Sequence, residues 1–130
     1  MAHFLSPEWF QQVAELTEAA GSLDIPRAMA DVVVNLTIET GGAPVAMRMD
    51  RGIIRAGRAD KADVEMSMPA EYAWRILVAG DWSAGMKGYV ARRIRLTGNL
   101  RKLIPLQVHR PSEAQESFRR QIERITDEKW

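Results

Sequence analysis

The sequence contains no cysteine, only two histidines among its 130 residues, and no long apolar run. Without cysteine, the chain has neither a disulfide framework nor a thiolate nucleophile, and a reducing cytoplasm is the expected setting. No apolar stretch approaches the roughly 20 residues that a transmembrane helix requires. We therefore expect a cytoplasmic protein rather than a disulfide-stabilised or membrane-spanning one.

The residues that usually carry catalysis or bind metals are also scarce. His3 lies near the N-terminus, which we expect to be disordered, and His109 lies beside Arg110 in a predicted connection. Neither has the spacing to a second histidine or a carboxylate that metal sites use, and Ser67 and Ser83 have no neighbouring base. We expect no metal, no cofactor and no catalytic residue. A buried polar cluster with shifted pKa values would instead favour an enzyme.

The charges nearly balance, with 18 basic and 17 acidic residues, but they are unevenly distributed. Residues 87–102 contain six basic side chains and no acidic one, whereas the other 114 residues carry 12 basic and 17 acidic groups. A basic segment in an otherwise acidic chain indicates an anionic partner, and a solvated sheet face is the alternative. Nucleic acid is an unlikely partner, because Tyr89 is the only aromatic residue among these cations.

Helix and strand signals follow one another over most of the chain. Ser6-Pro7 predicts the start of a helix that ends at Gly21, and the capping box Ser112–Gln115 predicts another that runs to about residue 127. Period-two alternation and turn residues predict strands at residues 31–39, 45–50, 53–59, 63–68 and 94–97. The third strand should lie at a sheet edge, and the first four should be joined as antiparallel hairpins.

Two further helices are predicted between the fourth and fifth strands, at residues 69–79 and 83–90. The first is too apolar for a surface helix, because Tyr72, Trp74, Ile76, Leu77 and Val78 cover more than one stripe. It should be buried on most sides or face a cavity. The methionines of the strands and of the second helix form adaptable apolar surface, which suits either a ligand or a packed core.

The order of these motifs resembles the sterol carrier protein type-two domain family. The resemblance rests on Ala62-Asp63 before the alternating strand, the apolar helix after it, Gly88-Tyr89, and the strand ending Leu96-Thr97-Gly98-Asn99. Leu106-Gln107 also matches a leucine-glutamine pair of that family. The similarity covers the C-terminal half of the domain, and Pro105 departs from it where the family has a longer helix.

The resemblance implies a single α/β (α+β) domain over residues 1–130. One five-stranded, mostly antiparallel sheet would be covered mainly on one face by four to five helices and would enclose an apolar tunnel. The implied ligand-binding walls are Met47, Met49, Val64, Met66, Met68, Tyr72, Ile76, Leu77, Met86, Tyr89, Val90, Leu100, Leu103 and Ile104.

The implied function is non-enzymatic binding, and transfer, of a fatty acyl, acyl-CoA, phospholipid, isoprenoid or sterol ligand. An anionic membrane surface is the expected transient partner, with Lys87, Arg101 and Lys102 as its docking residues. The alternative is a protein-interaction or dimerisation module without lipid, built on the C-terminal helix and the methionine surface. The C-terminus lacks a peroxisomal address, which favours a bacterial, cytoplasmic setting.

Overall fold

The structure is a computed structural model that describes residues 2–81, 83–103 and 112–127, apart from the side chain of Ala28. Its α-helices are α1 (Pro7–Ala20), α2 (Arg27–Ala30), α3 (Ala70–Leu77), α4 (Ser83–Val90) and α5 (Glu113–Ile125). Its strands are β1 (Val33–Glu39), β2 (Val45–Asp50), β3 (Ile53–Ala56), β4 (Val64–Pro69) and β5 (Arg95–Gly98), and a 3₁₀ helix spans Leu100–Leu103. The sequence predicted all five strands and every α-helix except α2.

The five strands form one mixed sheet in the order β3-β2-β1-β4-β5. Three neighbouring pairs are antiparallel, so the mostly antiparallel sheet is confirmed, and β3 lies at an edge as predicted. The prediction that β4 continues the hairpins was wrong, because β4 pairs with β1 in parallel. β1 has more buried side chains than any other strand of the sheet. Because it is buried, the backbone N–H and C=O groups that do not bond to β2 need a second partner strand, and β4 supplies it.

The connection from β3 to β4 crosses the sheet face that the helices leave open. Asn35 of β1, whose side chain is 1% exposed, holds this connection by bonding to both the N–H and the C=O of Ala59. Arg58 reaches Thr37 and Glu65 on the same face. The period-two pattern of this strand places Asn35 on the face opposite the apolar residues, but it does not indicate what covers that face.

The opposite sheet face forms the hydrophobic core. Alternate residues of β1, Val34, Leu36 and Ile38, are buried together with side chains from α1, α3 and α5. Leu36 lies between Met47 on β2 and Met66 on β4, so the strand methionines belong to this face. The helices therefore cover mainly one face of the sheet, as predicted.

The first residues of the chain are part of the core, which corrects the prediction of a disordered N-terminus. Ala2 pairs with Thr126 in a parallel bridge, and Phe4 and Leu5 are buried. The Trp9 indole N–H donates to the Thr126 hydroxyl at 2.8 Å. These contacts fasten both ends of the described chain to each other, a pairing that no local sequence signal predicts.

The C-terminal helix has the predicted capping box. The Ser112 hydroxyl accepts from the Gln115 N–H, and the Gln115 side chain accepts from the Ser112 N–H. Phe118 and Ile122 bury its apolar stripe in the core. This helix therefore does not offer the free apolar face that the interaction-module alternative placed on it. Ile104, Pro105, the Leu106-Gln107 pair and His109 lie outside the described residues.

Candidate functional site

The predicted ligand-binding residues range from the core to the surface. Met47, Val64 and Met68 are fully buried core residues. A second group is half-buried and packs against this core: Met49, Met66, Tyr72, Ile76, Leu77 and Leu103. A third group is exposed: Met86 (51%), Tyr89 (51%), Val90 (73%) and Leu100 (40%). The exposed and half-buried groups contain the side chains that a ligand can reach without displacing the core.

Helix α4 packs closely on α3 because Gly88 has no side chain. A Cβ atom at Gly88 would lie 2.6 Å from Ile94 and 2.9 Å from Tyr72. The Tyr72 ring has the guanidinium groups of Arg75 and Arg93 each 5.9 Å from its centroid, within cation–π range. The close packing of α4 on α3 places the exposed face of α4 beside β5.

An open cleft with a volume of about 600 Å³ lies between the end of α4 and β5. Its walls are formed by Tyr89, Val90, Arg92, Ile94, Arg95 and Leu96. It is a shallow depression that is open to solvent, and its lining combines four apolar or aromatic side chains with two arginines. The enclosed tunnel implied by the resemblance stays a prediction.

The cleft contains two residues from the predicted ligand set and four that the set omitted. Tyr89 and Val90 were predicted, whereas Ile94 and Leu96 fall in the predicted fifth strand (residues 94–97), which was not assigned to the walls. The pairing of Leu96 with Met66 brings that strand to the site. Alternation along β5 could have indicated that Leu96 lies on the apolar face of the sheet. Only the order of the strands shows that this residue lies beside α4.

The basic segment divides into paired and free cations. Lys102, which was predicted to dock on membranes, donates to the Asp63 carboxylate at 2.9 Å. Among the described residues, no ion pair includes Arg92, Arg95 or Arg101. Lys102 therefore has a structural partner, and the arginines of the cleft remain available to an external anion.

Asp63 joins β1, β4 and the 3₁₀ helix. Its carboxylate accepts from the Val33 N–H at 2.9 Å and from Lys102, while its backbone C=O accepts from the Asn99 N–H at 2.8 Å. The Val33 hydrogen bond, followed by that of Lys102, lowers the pKa of the Asp63 carboxyl below its ordinary value of 3.8. Asp63 thus fastens the segment that follows the cleft to the middle of the sheet.

We expect Asp63→Asn to destabilise the protein by about 1 kcal/mol at neutral pH, because charge-assisted hydrogen bonds are lost. The native pKa of Asp63 lies below the unfolded value, so its charged form stabilises the fold above the unfolded pKa. This contribution disappears as the pH falls through the native pKa. Urea unfolding of wild type and variant should therefore converge at low pH. Asp60→Asn, at an exposed aspartate nearby, is the control; equal effects of both variants would contradict this role.

The remaining polar cluster lies on the open sheet face. Asn35 donates to Glu65 at 2.9 Å, and this bond, followed by Arg58, lowers the pKa of the Glu65 carboxyl. Glu65 is therefore ionised at neutral pH and serves to hold the crossover connection. In residues 2–81, 83–103 and 112–127, no group of three or more histidine or carboxylate side chains could hold a metal ion.

The helices of the described chain are short. None combines the length and the apolar composition that are needed to cross a membrane. Together, the elements define an α+β protein whose single mixed sheet is covered by helices on its apolar face and opens in a cleft beside the edge strand β5.

Sterol carrier protein domains are among the solved structures to which this chain is similar. The chain superposes with a TM-score of 0.54 and 19% identity on sterol carrier protein domain 2 of Helicoverpa armigera, covering 78% of this chain and 89% of that one. For a conserved hypothetical protein of Thermus thermophilus, the TM-score is 0.53 at 17% identity, with coverages of 95% and 90%. For the palmitate complex of sterol carrier protein-2 from Aedes aegypti, it is 0.50 at 17% identity, with coverages of 83% and 97%.

The chain therefore has the sterol carrier protein 2 fold. This confirms at the level of the fold the resemblance that its motifs indicated. No protein-family model matches the sequence, and no curated protein matches it either.

Proposed function

We propose that this protein binds a lipid-like hydrophobic ligand without catalysing a reaction. The observation that carries the proposal is the cleft beside β5, where Ile94 belongs to the core and Leu96 packs against it. Leu96 lies in the cleft, and its partner Met66 packs against the core. Removing each CH₂ group of an acyl chain from water is favourable by about 0.8 kcal/mol, so burial of several such groups offsets the entropy lost on binding.

The fold comparison supports the same function. The sterol carrier protein-2 from Aedes aegypti was solved in complex with palmitate, a C16 fatty acid. A fatty acid combines an apolar chain with a carboxylate, and the cleft of about 600 Å³ combines apolar side chains with Arg92 and Arg95. We extend this ligand class to the present chain as a proposal, together with transfer of the ligand between surfaces and a cytoplasmic location.

Titration with a fluorescent fatty acid in solution, without vesicles, tests the proposal. We expect saturable binding, and we expect Leu96→Gln to weaken it by about 10-fold or more, because a buried apolar side chain contributes roughly 1.5–3 kcal/mol. Leu16→Gln is the matched control, since Leu16 is also half-buried but lies on α1. Circular dichroism shows whether each variant is folded.

Equal affinities of wild type, Leu96→Gln and Leu16→Gln would contradict ligand binding in the cleft. Absence of saturable binding by the wild type would contradict the proposed function as a whole. The ligand-binding roles of the buried residues Met47, Val64 and Met68 would require the core to open. They stay predictions, as does the assignment of residues 1–130 to one domain.

A further inference from the structure

The exposed large hydrophobic side chains of the described residues are concentrated in one part of the sequence. They are Met86, Tyr89, Val90 and Leu100. All four fall within residues 86–102, the segment that holds six basic residues and no acidic one. Scattered single apolar residues are normal on protein surfaces, whereas a contiguous apolar patch with a charged rim marks an interaction site.

The structure brings part of this segment onto one surface. Met86, Tyr89 and Val90 are spaced by three and four positions along α4 and therefore share one helix face. Tyr89 and Val90 also line the cleft with Arg92 and Arg95, which follow the helix. We call these five residues the α4–β5 surface.

The two arginines of this surface are free to meet an external anion. Both are exposed, and neither takes part in an ion pair with the rest of the described chain. Lys87 is a neighbouring cation, but part of its charge is offset by Asp81, whose pKa it helps to lower after the Ser83 hydroxyl. The cleft arginines thus provide positive charge directly beside exposed apolar side chains.

We propose that the α4–β5 surface docks on bilayers that contain anionic lipids. Met86, Tyr89 and Val90 enter the interface between headgroups and acyl chains, where apolar and aromatic side chains are favourable. Arg92 and Arg95 lie against the lipid phosphates. The cleft then opens toward the bilayer, so that a ligand passes between the cleft and the bilayer without crossing water. This passage of ligand rests on the proposed function, whereas docking itself does not.

A bilayer fits this surface better than a second copy of the chain does. Two copies that meet through the α4–β5 surface would bring their cleft arginines together, and like charges in an interface are unfavourable. An anionic bilayer offers the opposite charge and an apolar layer at once. Self-association is nevertheless a distinct outcome of the tests below.

The first test is sedimentation of the ligand-free protein with phosphatidylcholine vesicles that contain or lack phosphatidylglycerol. Each basic residue near an anionic surface strengthens binding about 5-fold, so Arg92→Gln with Arg95→Gln should weaken it by about 25-fold. The matched control is Arg27→Gln with Arg124→Gln, which removes two exposed cations outside the cleft that likewise take part in no ion pair among the described residues. Binding of the wild type should also fall with added salt.

The second test uses the absence of cysteine from the chain. An environment-sensitive fluorophore is attached to Val90→Cys, at a position that is 73% exposed, or to Arg55→Cys as a control. We expect a blue shift of the label at position 90 on anionic vesicles, and no shift of the control label. Circular dichroism confirms that both labelled variants are folded.

Several results would overturn the proposal. If the two double substitutions weaken vesicle binding equally, the protein is attracted by its overall charge and does not dock through this surface. Equal fluorescence shifts of the two labels would lead to the same conclusion. A shift of the label at position 90 that depends on protein concentration without vesicles would assign the surface to a second copy. Because no ligand is present in either test, loss of fatty acid binding by Leu96→Gln and failure of docking are separate results.

Discussion

Replacing Asn35 by leucine is expected to destabilise the protein by about 3 kcal/mol. Asn35 is 1% exposed, and its amide makes three hydrogen bonds, two to Ala59 and one to Glu65. Leucine has a similar volume but leaves three groups without these partners: the Ala59 N–H, the Ala59 C=O and one Glu65 carboxylate oxygen. Each buried polar group left unsatisfied costs about 1–3 kcal/mol. Because Ala59 is only half-buried, we take about 1 kcal/mol for each group.

Thr37→Val is the matched control for this substitution. Thr37 lies on the same strand and the same sheet face, but its hydroxyl accepts only a long bond from Arg58 at 3.4 Å. We expect an effect below about 1 kcal/mol for this change. Urea unfolding measures both values, and similar effects for the two variants would contradict the role of Asn35 as the anchor of the crossover connection.

Gly98→Ala should also cost about 3 kcal/mol, through strain and a steric clash together. Gly98 has a φ of +106°, which L-residues rarely adopt and which costs about 1–3 kcal/mol. A Cβ atom there would lie 2.6 Å from the Asp63 carbonyl oxygen and 3.2 Å from the Val64 Cα, both backbone atoms of the adjoining chain. Neither atom can move without disturbing the pairing of β4 with β5.

Gly41→Ala separates the strain from the clash. Gly41 has a φ of +87°, but nothing lies within 4 Å of the position that a Cβ would occupy. We expect about 1 kcal/mol for this variant in the same urea unfolding experiment. Equal losses at the two positions would show that the contact with Asp63 is unimportant.

The Gly98 variant also connects stability with the site. β5 carries Arg95 and Leu96, which line the cleft, and Gly98 ends that strand against the Asp63 backbone. If the alanine pushes β5 away from β4, the folded fraction of the variant should bind a fluorescent fatty acid more weakly than Gly41→Ala does. Unchanged ligand affinity would place the distortion outside the cleft.

Local chemistry was sufficient to predict the helices at the two ends of the chain and the first hairpins. Ser6 and Ser112 each accept a hydrogen bond from a backbone N–H three residues later, so the helix starts depend on neighbouring residues alone. Asp50-Arg51-Gly52 likewise predicts a tight turn, and β2 and β3 pair across it. Such signals act over a few residues and can be identified without knowledge of the rest of the molecule.

The sequence by itself thus determined the elements, the apolar sheet face and the acid-free basic segment. The tertiary structure decided which strands pair and which side chains contact one another. It placed β4 parallel to β1, buried Asn35 under the crossover connection, paired Lys102 with Asp63 and set Leu96 beside α4 in the cleft. Alternation along a strand indicates which side chains share a face. Which side chains on different strands come into contact depends on the order in which the strands pair when the core is buried. That order belongs to the whole chain, and no single segment contains it.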